Sequence, residues 1–277
     1  MKVRLAGLHV YPIKSARGIE LEEWEVDRFG LQYDRRWMVV NPSGEFLSQR
    51  THPRLALIST AIEGETLRVS APEMPALELP LQPRDTARCR VVVWRDACSA
   101  IWLGEEPGGW FSELLDCTCG LVYLPDQGVR RADPAFAPTE TRVSFADAFP
   151  FLLTSEESLA DLNRRLSEPL PMNRFRPNLV IAGAEPYAED HWREIRIGSL
   201  PLLVVKPCAR CVVTTTDQAT GERGTEPLRT LATYRRREGE VMFGQNLVHQ
   251  SPGRLRVGDS VLVSAGEAAR QLESETF

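Results

Sequence analysis

The sequence predicts a mainly β chain with a few helices, of α+β class, folded as two β-barrel-like domains. Three observations carry this expectation. Apolar and polar residues alternate over many short runs, Gly, Pro, Asn and Asp punctuate those runs at regular intervals, and few segments repeat their apolar residues at helical spacing.

The first run puts Val3 and Leu5 on one phase and Leu8 and Val10 on the other, which predicts a strand with a bulge at Gly7. Trp37-Met38-Val39-Val40, the turn Asn41-Pro42-Ser43-Gly44 and Glu45-Phe46-Leu47 predict a β-hairpin. Leu67 to Ser70 and Arg90 to Trp94 read as further strands. A short helix is expected over Trp110 to Leu115, where Trp110, Phe111, Leu114 and Leu115 share one face. From about Pro125 to Phe145 the chain is polar and broken by Pro134 and Pro138, which marks a linker and sets the expected domains at 1–125 and 126–277. Beyond it Thr154 and Glu157 form a capping-box pattern, and Leu159, Leu162 and Leu166 follow at helical spacing. Gly198-Ser199 and Gly258-Asp259 each separate two apolar runs and predict two hairpins.

Composition narrows the function. With 43% hydrophobic and 26% charged residues among 277, disorder is excluded. A net charge of −5 argues against a surface built for a phosphate backbone, so no nucleic-acid partner is expected. No apolar stretch reaches the roughly 18 residues of a membrane-spanning helix, and Met1 to Leu5 alternate where a signal peptide would be apolar. A cytoplasmic protein without a membrane span is expected. The only lysines are Lys2, Lys14 and Lys206, and the last two fall in the segments richest in signal.

Six cysteines in such a chain do not suggest a disulfide framework. Cys208-Ala209-Arg210-Cys211 admits several readings. A redox dithiol would open a helix, but the β-branched run Val212 to Thr216 favours a strand. Zinc would need two further ligands, and Cys117 and Cys119 lie far away in sequence. A single functional thiolate beside Lys206 and Arg210 and a pair of inert buried thiols both remain open. His9, His52, His191 and His249 show no metal-binding spacing, and the glycine-rich nucleotide signatures and GxSxG are absent.

Two other clusters stand out. Tyr11-Pro12-Ile13-Lys14-Ser15 with Asp34-Arg35-Arg36-Trp37 offers cations and a hydroxyl for an anion, or a solvated turn. Asn173-Arg174-Phe175-Arg176-Pro177-Asn178 leads into a strand and would line a cleft or simply end a sheet.

In this order, Tyr-Pro-Ile-Lys-Ser, Asp-Arg-Arg-Trp, Phe-Arg-Pro-Asn and Cys-Ala-Arg-Cys-Val-Val-Thr-Thr-Thr-Asp-Gln-Ala-Thr-Gly resemble MOSC proteins that carry a MOSC N-terminal β-barrel domain. That group includes the mitochondrial amidoxime-reducing component and YcbX-like bacterial proteins. The resemblance spans about Val3 to Val263 and implies an N-terminal MOSC β-barrel followed by a MOSC domain. It further implies a molybdenum cofactor (Mo-molybdopterin), with Cys211 as the metal ligand and Cys208 as a spare. Lys14, Ser15, Arg35, Ser155, Arg176, Asn178, Arg210 and Asn246 match cofactor-binding positions, with Arg210 also expected to lower the Cys211 thiol. Asp147 matches a carboxylate near the metal, expected to relay protons. Ala148, Phe149 and Asn246 depart from the mitochondrial relative, so the pocket shape differs.

The activity implied is reduction of N-hydroxylated compounds, such as hydroxylamines, amidoximes or N-hydroxylated nucleobases, to amines. Because no cysteine-rich iron–sulfur segment follows, electrons are expected from a separate flavoprotein, ferredoxin or cytochrome. The alternatives are a sulfur (persulfide) or molybdenum-cofactor carrier using Cys211, and a structural two-barrel protein.

Overall fold

Runs of Val, Leu, Ile and Phe with period two become strands, and the computed structural model, which describes residues 2–84 and 87–264, is mainly β. Among the described residues three α-helices accompany the strands: α1 (Glu105–Leu115), α2 (Glu156–Asn163) and the single turn α3 (Leu228–Leu231).

The largest sheet has nine strands, in the order Val261–Val263, Glu194–Ile197, Leu200–Ala209, Glu240–His249, Phe151–Ser155, Leu179–Ala182, Arg4–Val10 and Ile19–Leu21, with Arg236–Arg237 paired off this path. Phe151–Ser155 and Leu179–Ala182 run parallel. A parallel pair needs a crossover, which α2 and the segment through Asn178 provide. The sheet joins the first strand to the second half of the chain: Arg4–Val10 pairs with Leu179–Ala182, and Leu5, Leu8 and Val10 share a core with Phe151, Leu153 and Leu247. Glu23–Asp27 likewise pairs with Gly253–Arg256.

A four-stranded sheet (Trp37–Val40, Gly120–Tyr123, Asp96–Trp102, Arg88–Val93) and a three-stranded one (Ser59–Glu63, Thr66–Ser70, Leu77–Pro80) make up most of the remainder. Against their shared core, which includes Trp37, Leu67 and Leu121, α1 packs Phe111 and Leu114. The register of the first strand shifts between Leu5 and Gly7, where the change of phase predicts a bulge. The Asn41–Gly44 turn closes as expected, but its return limb forms isolated bridges, Phe46 with Val40 and Glu45 with Val92, in place of a strand.

Several elements depart from expectation for local reasons. α1 begins at Glu105, because two acidic residues and Pro107 suit a first helical turn. Leu255 and Val261 do not fold into one hairpin. Gly258 (φ +95°) and Asp259 turn the chain against the first strand, with Gly258 N donating to Leu5 O and Leu5 N to Asp259 O, so the two limbs join different sheets. Val212–Thr215 forms a 3₁₀ turn where β-branching favours a strand, since the Thr214 and Thr215 hydroxyls bond back to Cys211 O (3.0 Å) and Val212 O (2.8 Å). The segment read as a linker is packed: Arg130, Ala132, Val143 and Phe145 are buried.

Ser155, expected to bind cofactor, instead caps α2. Its hydroxyl accepts from Ser158 N at 3.0 Å, one residue after the expected capping position at Thr154. Thr154 stays in the strand and its hydroxyl meets Met172 Sδ at 3.2 Å.

Candidate active site

The loops at one end of the large sheet converge on a cavity of about 320 Å³. Lys14, Ser15, Arg35, Asp147, Arg176, Asn178, Arg210, Cys211 and Asn246 all line it; Ser155 does not. Among the described residues, its lining sets the cations Lys14, Arg35, Arg50, Arg176, Lys206 and Arg210 beside two carboxylates, Asp147 and Glu240. Such a lining favours an anionic occupant.

Three of these residues hold left-handed backbone: Ser15 (φ 71°), Arg35 (φ 49°) and Arg176 (φ 56°). A non-glycine residue there costs about 1–2 kcal/mol, so the surroundings must impose it. Around Arg35 they do. Its N–H donates to Tyr11 O at 2.7 Å, and its guanidinium to Asp34 Oδ2 (2.6 Å), Asn178 Oδ1 (3.0 Å) and Arg176 O (3.3 Å). Asp34, fully buried, also accepts from Tyr11 N (2.9 Å) and Asn178 Nδ2 (3.1 Å). Arg35 and Arg176 lie against the Tyr11 ring at 4.3 and 4.5 Å. Gly18 makes room for that ring, since a Cβ would come within 2.6 Å of it.

Asn178 is a strut. Its amide also donates to His9 O (3.1 Å) and its oxygen accepts from Leu152 N (3.2 Å), so its polar atoms are engaged within the protein. Gln49 and Gln218 exchange two amide hydrogen bonds of 3.0 Å. Gln49 also donates to Ser15 O (2.7 Å) and Gln218 accepts from Arg176 (3.4 Å), so this buried pair ties two strained positions together.

Lys14 is buried, and donates to Phe145 O (2.7 Å) and Asp147 Oδ1 (2.5 Å). Burial pulls its ammonium down to about 8, against the attraction of Asp147. Asp147 also takes Arg50 (3.2 Å) and the Trp94 indole N–H (3.3 Å). Burial opposes its ionisation, yet Lys14 and Arg50 outweigh it and hold the carboxyl well below the usual carboxylate range. That setting suits a fixed negative charge, where the sequence suggests a proton relay.

Cys211 and Cys208 are free thiols on the cavity wall. Arg210 donates to Cys208 Sγ at 2.9 Å and to Phe175 O at 2.5 Å. Its charge therefore bears on Cys208, because residues two apart in extended chain face the same way. Among the described residues Arg210 Nε is buried without a hydrogen-bond partner. Asn246 donates weakly to Pro207 O at 3.4 Å.

Sequence reasoning missed Arg50, which belongs to none of the clusters the sequence singles out, and Arg130, which lies in the supposed linker. Arg130 is buried and donates to Asp96 Oδ2 (2.9 Å), Ser144 O (2.8 Å), Asp147 O (3.0 Å) and Ala146 O, shaping the loop that presents Asp147. The doubled Arg130-Arg131 in a polar segment was its only trace. Among the described residues no three His, Cys, Asp or Glu side chains converge, so a metal here would take most of its ligands from a cofactor.

Comparison with known proteins bears on this cavity. Residues 2–118 match the MOSC N-terminal beta barrel domain and residues 140–262 the MOSC domain. The chain is 40% identical to mitochondrial amidoxime-reducing component 1 of Mus musculus, over 93% of this chain and 81% of that protein. The Homo sapiens protein of the same name is 37% identical over 93% and 82%. A molybdenum cofactor sulfurase of Oryza sativa is 33% identical over 87% of this chain but only 32% of its own length.

Proposed function

We propose that this chain, which belongs to the family of MOSC proteins carrying a MOSC N-terminal β-barrel domain, is a molybdenum-cofactor-dependent oxidoreductase that reduces N-hydroxylated compounds to amines. The observation that carries this reading is the cation-lined cavity, at which residues from both matched regions meet the Cys211 thiol. The donor set fits the cofactor. Clustered cations suit a phosphate, the orphaned Arg210 N–H suits a further acceptor, and a thiol suits a soft redox metal.

When bound, the cofactor supplies the two-electron chemistry that, with two protons, turns N–OH into N–H and water. Cys211 would hold the metal. Lys14, Ser15, Arg35 and Arg176 would hold the anionic groups, and Arg210 would add its free N–H. Asn178, Gln49 and Gln218 keep those groups in place. Asp147 pairs with Lys14 and Arg50 and offsets one of their two charges, and Arg130 keeps it aimed.

Amidoximes and hydroxylamines are the proposed substrates, by analogy with the named relatives. A separate electron-donor protein of flavoprotein, ferredoxin or cytochrome type is part of the proposal. No described helix is long and apolar enough to cross a membrane. A cytoplasmic location is proposed on the free thiols, which suit a reducing compartment. The sulfurase relatives favour a second reading, a sulfur or cofactor carrier acting through Cys211.

Single-site variants separate these readings. With a chemical electron donor and an amidoxime, Cys211→Ser is expected to abolish reduction while Cys208→Ser retains most of it. Equal loss from both variants at equal folding overturns the single-ligand assignment, and an inactive but cofactor-loaded wild type favours the carrier.

A further inference from the structure

The reductase reading leaves the rest of the substrate unplaced. Beside the first cavity, sharing Asp147 and Ala148 with it, lies a more open one of about 580 Å³. Its lining is mixed: Val129, Pro134 and Ala148 are apolar, and the carboxylates Asp96, Asp133 and Asp147 stand against the guanidiniums of Arg130 and Arg131. Of the two arginines on its wall, Arg130 is buried and taken up by Asp96 and three backbone carbonyls, whereas Arg131 is exposed and meets exposed Glu140 at 3.6 Å, so three carboxylates outnumber two guanidiniums on this wall.

Exposed apolar side chains gather at this boundary. Trp94, Val129 and Phe136 are 47%, 54% and 42% exposed, and among the described residues only Leu262 and Val263 share that status. Trp94 is bonded to Asp147, Val129 lines the second cavity, and Phe136 lies over Lys206, a residue of the first cavity. Large apolar groups gathered around a concavity mark a binding surface.

We propose that the second cavity is the subsite for the substituent that the N-hydroxylated group carries, taking apolar or aryl bodies that are neutral or cationic and disfavouring anionic ones. The proposal rests on the reductase reading for the identity of the ligand. The reacting N–OH would cross the Asp147–Ala148 edge, while the body of the molecule stays on the Val129 side.

The test uses cofactor-loaded protein, a chemical electron donor and Val129→Trp, which fills the second cavity from an exposed position. Hydroxylamine carries no substituent; benzamidoxime and 4-carboxybenzamidoxime do. In the variant, kcat/KM for benzamidoxime is expected to fall about tenfold and that for hydroxylamine to stay within about twofold. Wild type is expected to prefer benzamidoxime to its carboxylate by about tenfold. Parallel loss for benzamidoxime and hydroxylamine, no loss for benzamidoxime, or no preference against the carboxylate overturns the proposal. Calorimetric titration with benzamidine reads the subsite without turnover: affinity is expected to drop about tenfold in the variant. Unchanged affinity, or no binding to wild type, also overturns it. A wild type that reduces none of the compounds, yet loses benzamidine affinity in the variant, rejects the reductase reading and keeps the subsite.

Discussion

Asp147 shows how the setting of one residue decides its role. A carboxyl pinned by Lys14 and Arg50 holds no proton near neutral pH, so it works as a counter-ion. A general acid typically contributes 10²–10⁴-fold, so a true relay would lose at least about a hundredfold in kcat on Asp147→Asn. The counter-ion account predicts a loss under about tenfold, with Lys14 titrating still lower because its partner charge is gone. Steady-state rates across pH 6–9 check this. Lys14, Ser15, Arg35, Arg176 and Cys211 were legible in the sequence because each sits in a dense motif. Arg50 and Arg130 were not. Each acts through partners distant in sequence, such as Asp147 for Arg50 and Asp96 for Arg130, and spacing along the chain carries no trace of such pairing.

At the scale of the element, the start of α2 holds a buried polar cluster away from the cavity. Ser155 Oγ meets Ser158 Oγ at 3.0 Å, and Ser158 donates to Glu189 Oε1 at 2.8 Å. Ser155→Ala is predicted to cost about 1 kcal/mol, the usual value of an N-cap, and to leave bound cofactor unchanged. Thermal unfolding beside pterin content checks both halves. Glu189 is buried, its Oε2 has no partner among the described residues, and burial pushes its carboxyl up to about 7 from 4.5. The folded chain therefore binds this proton more tightly than the unfolded chain does. Stability from this group is present below the unfolded value and falls as pH rises from about 4.5 to 7, by at most about 3 kcal/mol. Glu189→Gln is predicted to flatten the decline in Tm between pH 5 and 8; an unchanged slope contradicts it. Helical periodicity revealed α2, but its cap lies one residue beyond the pattern because the parallel strand continues through Ser155.

At the scale of the molecule, the cavity exists because the chain closes on itself. Arg4–Val10 pairs with Leu179–Ala182, which brings the Lys14-Ser15 turn beside Arg176, and Arg35 then bridges to Asn178. Alternation and turn residues made the β class legible, as did the bulge at Gly7. The interleaving was not, because period-two patterns specify which face of a strand is buried and leave its partner open. The Gly258-Asp259 turn illustrates the point: it reads as a hairpin, yet its backbone docks on Leu5 and sends its two limbs to different sheets. The central claim, that this closure builds a molybdenum-cofactor site with Cys211 on the metal, is tested most directly by composition. Protein purified from a host that makes the cofactor is assayed for molybdenum by mass spectrometry and for pterin by the fluorescence of its oxidised form, with Cys211→Ala alongside. The account predicts near-stoichiometric metal and pterin in the wild type, with metal weakened or lost in the variant; a folded wild type carrying no pterin would contradict it.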